Sequence, residues 1–482
     1  MMKRNAPLPA WRAGADGIGR VDIKRVWQIA LPLMVTNAIQ SGLNLTDTWF
    51  IGRLSTDAVA AIGAIYWLMT CAILILGGVG LSAQSFVSQA DGSGRFSRAS
   101  QCAWNSLWSS LAALPFFALF ALGGAPVLAL FSLDPNIESL AIAYWEPRLL
   151  GAVLGAMSWA MMSFFNGMGA TRVTLYMAVA TLLANIPANE WFMFELGWGM
   201  RGAAWGTNVA QVAGLLLGFV FMLSGAIAKR YRTRLTWRPR WTMIKRQFAV
   251  GLPIGVMYGA DVLGIALMQL MVTQVASAGA AATQIVIMLT SIAYMPGLGI
   301  ATAGTTLVGQ AIGSGDREWA AHIGRYVILL CAGFMLAVAL LILLAGPWLL
   351  PQFVSSGDAE ASLAIASALI FLWPAAAYQM FDGFYLGSSF ALRAAGDTTV
   401  PAMTALLLSW FFFVPLAHTL IFTPEQAWIS GLPQWGLGAL GGWLALMSYA
   451  MLLGSLMFRR WLSGRWRSID LWGRSVSEPP PT

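Results

Sequence analysis

Long, continuously apolar runs follow one another along almost the whole chain, each broken by Gly, Pro or a cluster of charge. Twelve are readable, near residues 27 to 50, 58 to 80, 101 to 123, 140 to 165, 174 to 195 and 203 to 224, then 248 to 272, 281 to 305, 323 to 346, 361 to 390, 400 to 421 and 438 to 458. A helix crossing the hydrocarbon core of a bilayer needs about 20 such residues. Strands of a membrane barrel would instead alternate every second residue over about ten, and these runs do not alternate. The pattern predicts an all-α integral membrane protein with 12 transmembrane helices.

A repeat groups these helices. A shift of 221 residues (252 − 31) lays Leu31-Pro32 on Leu252-Pro253. The same shift lays the segment from Val87 to Gly94 on that from Val308 to Gly315, with Val, Gln, Ala, Gly, Ser and Gly conserved at six of the eight positions. Six helices per half is an even number, so both halves enter the membrane from the same side and form parallel repeats about an axis along the membrane normal. Two pseudo-symmetric six-helix lobes follow, with a cavity between them. The expected organisation is an N-terminal segment (1–26), an N-lobe (27–224), a basic loop (225–247), a C-lobe (248–458) and a tail (459–482).

Composition narrows the function. Of 482 residues 58% are hydrophobic and 10% charged, against roughly a quarter charged in a soluble chain, which leaves no room for a soluble catalytic domain. Charge sets the topology: with twelve spans, 25 of the 28 Lys and Arg residues fall on one face, against Arg53, Arg148 and Arg201 on the other. The positive-inside rule then places both termini and the central loop in the cytoplasm. The net charge of +8 reads as topology and contact with anionic lipid rather than nucleic-acid binding. No short apolar core with a small-residue cleavage site precedes the first run, so the first helix is expected to stay. Cys71, Cys102 and Cys331 read as small apolar residues of the spans.

Polar groups inside the runs are the candidate chemistry, because a carboxylate at the bilayer centre costs about 2.5 to 3.5 kcal/mol on insertion scales. Asp47 ends a stripe of Asn37, Gln40 and Asn44 whose spacing puts all four side chains on one helical face. Thr181, Asn185 and Asn189 form a second stripe, with Glu190 beside it and Pro187 inside it, and the two stripes are expected to face each other. In the second half Asp261 follows Pro253 by eight residues, and Asp382 follows Tyr378 by four, on one face. Tyr258, Gln284, Met257 and Met288 are further candidate lining residues; thioethers and aromatic rings suit a greasy, cation-tolerant cavity. Glu146, beside Pro147 and Arg148, reads as one half of a local ion pair near the outer surface. A carboxylate withdrawn from water takes up a proton or is held ionised by a cation, and either chemistry serves ion coupling.

Several segments resemble the multidrug and toxic compound extrusion (MATE) family, from about residue 25 to residue 458: Asp47-Thr48 with Gly52, Gly251 to Gly255 with Asp261 downstream, Ala281 to Gln284, Val308 to Gln310, and Tyr378-Gln379 with Asp382 leading to Leu392-Arg393 and Gly396-Asp397-Thr398. The resemblance implies two six-helix lobes opening outward in a V, and export of bulky, often cationic compounds in exchange for H⁺ or Na⁺ at coupling carboxylates, with no cofactor and no structural metal. Acidic residues of the NorM-like branch match Asp47, Asp261 and Asp382. The DinF-like branch favours Asp where this chain has Asn189, so Glu190 is the alternative partner for Asp47.

The expected function is a secondary antiporter of a bacterial inner membrane, acting as a monomer on small hydrophobic or cationic molecules. A lipid-precursor flippase would want an Arg-rich cavity, and no Arg clearly lies inside a span. A membrane-embedded enzyme would need partners for His322 or His418, and a passive channel would have no use for carboxylates in both halves. No Walker A segment is present for ATP hydrolysis.

Overall fold

The computed structural model describes residues 8–13, 19–129, 134–352, 359–429 and 431–472. Every apolar run is helical: α1 (Ile23–Gly52), α2 (Thr56–Gly92), α3 (Phe96–Leu122, with a break near Ala113), α4 (Pro135–Gly167), α5 (Thr171–Glu190), α6 (Gly199–Leu223), α7 (Trp241–Val275), α8 (Ser277–Gly313), α9 (Arg317–Leu349), α10 (Ala359–Ala395), α11 (Thr399–Ile421) and α12 (Gly438–Leu462). Among the described residues ten helices are long and apolar enough to cross a membrane. The two outside that group are α1 and α5, the helices that carry the polar stripes.

Several helices overrun the apolar segments that announced them. Helix α2 continues twelve residues beyond position 80, because Ser82, Gln84, Ser85, Ser88 and Gln89, too polar for an apolar run, are buried against other helices. Helix α10 likewise runs on to Ala395, which places Arg393 in its last turn rather than in a loop. There Arg393 is only 4% exposed, and it donates to the Leu81 carbonyl and to Gln84 Oε1, both at 3.1 Å. A two-stranded hairpin, Trp11–Ala13 with Gly19–Val21, precedes α1 and was not foreseen. It is tied down by the Trp319 indole donating to the Pro9 carbonyl at 2.9 Å.

The repeat reappears as paired contacts between the lobes. At Gly78 a Cβ would lie 2.4 Å from the Gly255 nitrogen, so α2 and α7 touch backbone to backbone. Shifting both residues by 221 gives Gly299 and Met34, and a Cβ at Gly299 would lie 2.6 Å from the Met34 nitrogen, where α8 meets α1. Farther along, a Cβ on Gly92 would strike the Gln310 carbonyl and one on Gly313 the Gln89 carbonyl, each at 2.1 Å. Wherever two residues touch here, their two repeat-mates touch as well, which is the signature of an approximate two-fold axis.

Candidate functional site

Two clusters of polar side chains form, one in each lobe. In the N-lobe the stripes of α1 and α5 meet as expected. Asp47 Oδ1 accepts from Asn185 Nδ2 at 2.9 Å and from Asn189 Nδ2 at 2.7 Å, while Oδ2 accepts from the Thr207 hydroxyl on α6 at 3.0 Å. Spacings of four residues put Asn185 and Asn189 one above the other on α5, and a π-helical segment, Trp191–Glu195, follows at once. Asn189 Oδ1 is buried without a hydrogen-bond partner, so the group holds three donors on Asp47 and a free acceptor beside it.

Glu190 does not join this cluster. Its carboxylate is half-exposed and pairs with Arg53 at 2.7 Å, because the residue after Asn189 is rotated about 100° around the helix. Asn37 also leaves the group and donates across the lobes to the Met295 carbonyl at 3.3 Å. Gln40 is half-buried and Asn44 exposed on the same helix face. Glu146 makes a loose pair with Arg201 at 3.9 Å rather than with its neighbour Arg148. Arg148 lies well inside α4, beside Tyr144, with Nη1 buried and unpartnered. The expectation that no arginine enters a span is therefore corrected: Arg148 and Arg393 both lie in membrane-length helices, in different lobes, and do not form an Arg-lined cavity.

In the C-lobe, Asp261 on α7 accepts from two phenols: Tyr385 on α10 reaches Oδ2 at 2.6 Å and Tyr449 on α12 reaches Oδ1 at 2.7 Å. The Tyr449 ring stacks on Phe413 at 5.1 Å, within the π-helical segment Ser409–Phe413 of α11. Asp382, one turn before Tyr385, is 6% exposed, and its Oδ2 has no hydrogen-bond partner. The two carboxyls thus lie within electrostatic reach of each other in different settings, one satisfied by hydroxyls and one with an unpartnered oxygen. Tyr378 is half-buried on the face of α10 that bears Asp382, and Gln379 turns away to donate to the Thr290 carbonyl at 2.8 Å.

Of the other expected lining residues, Tyr258 is half-buried and faces Arg393, Gln284 is exposed on α8, and Met288 is 55% exposed one turn farther along. Met257 is 6% exposed and packs into the C-lobe core. Sequence reasoning missed Thr207, Tyr385 and Tyr449. Tyr385 had a legible signal, its three-residue spacing from Asp382, and Thr207-Asn208 stood out as a polar pair in an apolar run. Tyr449 had none, since it lies 188 residues from its partner.

A family model described as MatE matches residues 32–191 and 253–419. The chain belongs to the MatE family. The two matched stretches begin 221 residues apart (253 − 32), the shift of the internal repeat. Relatives within the family include proteins called "Probable multidrug resistance protein NorM": one from Mesorhizobium japonicum, 27% identical over 94% of this chain and 97% of its own length, and one from Brucella suis, 28% identical over 90% and 91%. Among solved structures, one titled "Crystal structure of MATE in complex with MaL6" superposes with a TM-score of 0.79 at 20% identity, over 92% of this chain and 95% of that one. Another, titled "Outward-facing conformation of a multidrug resistance MATE family transporter of the MOP superfamily", does so at 0.76, with 20% identity and the same coverage. The family therefore supplies the two-lobe fold, and this chain is a NorM-like transporter within it.

Proposed function

We propose that this protein exports bulky lipophilic, often cationic, compounds in exchange for H⁺ or Na⁺, by alternating access between its two lobes. The observation that carries this reading is Asp382, a buried carboxyl whose Oδ2 has neither donor nor counter-ion, within electrostatic reach of Asp261. An unpaired carboxylate held away from water is costly, so such a group takes a proton or a metal cation and gives it up when its surroundings rearrange. Asp261 serves as the fixed partner, its charge spread over two phenol donors. Asp47, with Asn185, Asn189 and Thr207, is a second cation-handling group, and Glu190 stands aside on Arg53.

Substrate binding is assigned to the space between the lobes, with Gln40, Asn44, Tyr258, Gln284, Met288 and Tyr378 on its walls and Met257 supporting them from behind. Exchange follows if cation and substrate favour opposite states of the same protein. The repeat-related glutamines support the rocking part of the reading. Gln89 Nε2 donates to the Ala394 carbonyl at 2.8 Å, and Gln310 Nε2 donates to Asp91 Oδ2 at 2.9 Å, so each lobe reaches into the other at the basic face. Asp91 also accepts from Tyr231 at 2.5 Å; burial and the neighbouring Asp91 push that phenol well above its usual range, so it remains a donor. The proposed setting is a bacterial inner membrane, with the basic face and both termini in the cytoplasm and one chain sufficing.

Dye efflux from liposomes containing only this protein tests the reading, driven in turn by a proton gradient and by a Na⁺ gradient at fixed membrane potential. Transport under either gradient, abolished by Asp382→Asn, is expected. Silence under both with folded protein would remove the antiport.

A further inference from the structure

The segment Gly464–Trp472, beyond α12, is built into both lobes. It leaves the helix through Gly464 in the left-handed region (φ +67°) and makes one short turn, Arg465–Ser468. Trp466 is 2% exposed, stacks flat on Trp461 at 4.3 Å, and donates its indole N–H to the Trp461 carbonyl at 3.0 Å. Arg467 pairs with Glu318 at 2.6 Å, and Arg317 donates to the Arg467 carbonyl. All of these partners belong to α9 and α12, so the root of the tail is fastened to the C-lobe.

Four residues later the same segment, still against Gly396 of the C-lobe, also packs on the other lobe. Leu471 is 7% exposed within the hydrophobic cluster that also holds Phe86, Ala90 and Phe164. Trp472 lies edge-on to Phe86 at 5.6 Å, donates its indole N–H to Gln89 Oε1 at 3.2 Å, and carries the Arg98 guanidinium 4.2 Å above its ring. Its carbonyl accepts from Arg246 at the start of α7. Gln89 is the residue that bonds the Ala394 carbonyl across the lobes, so Trp472 closes over one of the two glutamine latches. The repeat-mate Gln310 makes its cross-lobe bonds to Asp91 and to the Gly167 carbonyl instead.

We infer that Ile469–Trp472 is a strap across the basic face, with Leu471–Trp472 as its releasable end, and that it sets the balance between the two access states. This rests on the alternating-access reading above. When the lobes rock apart at this face, a segment rooted on one and buried in the other must let go. The end to be released is the Leu471–Trp472 end, where Leu471 packs in the Phe86 cluster and Trp472 meets Phe86, Gln89, Arg98 and Arg246, whereas the root holds a stacked indole pair and an ion pair on its own lobe. Loss of the Trp472 aromatic contact and hydrogen bond therefore favours the state open at the basic face, without touching any residue assigned to cation or substrate.

The test is a distance measurement on the full chain in lipid nanodiscs, with spin labels at Ser93→Cys and Ser314→Cys after replacement of Cys71, Cys102 and Cys331. In the wild-type background a major short distance and a minor long one are expected, the long one growing under the driving cation or a transported dye. Trp472→Ala should raise the ratio of long to short population at least about fivefold, and Trp472→Phe, which keeps the ring contact, should fall between. A wild type that opens while Trp472→Ala and a chain ending at Ser468 open to the same extent would overturn the strap and leave alternating access standing. A single short distance in every variant under every condition would overturn both.

Discussion

At the scale of single residues, the two C-lobe carboxyls make separable predictions because their surroundings differ. Asp261→Asn replaces one acceptor oxygen by an amide donor, leaving one of the Tyr385 and Tyr449 hydroxyls without its bond, which costs about 1–3 kcal/mol of stability. Asp382→Asn strands no donor at Oδ2 and removes a carboxylate whose unpaired burial is costly, so it should not lower stability. Both should lower cation-driven efflux at least tenfold, an effect of about 1.4 kcal/mol or more on the transport step. Thermal unfolding in detergent beside liposome efflux separates the two effects; a destabilised Asp382→Asn or a fully active Asp261→Asn would contradict the assignment. Glu190→Gln and Glu146→Gln, which touch only half-exposed ion pairs, should leave efflux within about twofold, since such pairs contribute about 0–1 kcal/mol. Helical spacing made the Asp47 and Asn185/Asn189 faces legible, because residues three and four apart must lie together. It could not say that Glu190 would turn to Arg53 or that Tyr449 would reach Asp261, since those meetings depend on how separate helices are placed.

Elements add a second constraint, the close approach of helix backbones. Helices α2 and α7 meet at Gly78, Gly251 and Gly255, where an added Cβ on Gly255 would lie 2.1 Å from the Ile75 carbonyl. Backbone atoms cannot rotate aside, so Gly255→Val should cost at least about 1–3 kcal/mol of stability through overpacking. Gly63→Ala in the N-terminal part of α2, with nothing within 4 Å of its Cβ, is the control and should be neutral or slightly stabilising. Equal unfolding midpoints for the two variants would mean that α2 and α7 can separate without loss. The weak apolarity of α1 and α5 belongs to the same scale. Both give helix surface to Asp47, Asn185 and Asn189, whereas α7 and α10 carry Asp261 and Asp382 within longer and more apolar helices.

For the molecule as a whole, a duplicated fold carries polar clusters that are not duplicated. The 221-residue shift that pairs Gly78 with Gly299 also places Gln40 where the second half has Asp261, and Met268 where the first half has Asp47. Each lobe has thus kept its carboxyl at a different level of equivalent helices, and the strap adds a further asymmetry by covering Gln89 and not Gln310. If the two glutamines latch the basic face, Gln89→Ala with Gln310→Ala should expose that interface. A cysteine at Ser88, fully buried in the present arrangement, should then react with a membrane-impermeant maleimide several-fold faster than in the singly substituted chains. Unchanged labelling would place the hold on the face elsewhere.

The sequence by itself determined the class, the helices, the duplication and the identity of the polar groups that do not belong in lipid. All of these follow from what one segment must do in a bilayer, where backbone bonds close within the helix and side-chain spacing decides which residues share a face. Tertiary structure alone decided which carboxyl is satisfied by hydroxyls and which has an unpartnered oxygen, that Arg393 enters the helical layer, and that the segment Ile469–Trp472 crosses between lobes. Those outcomes depend on distances between segments up to 383 positions apart, as for Gln89 and Trp472, and no local pattern encodes them.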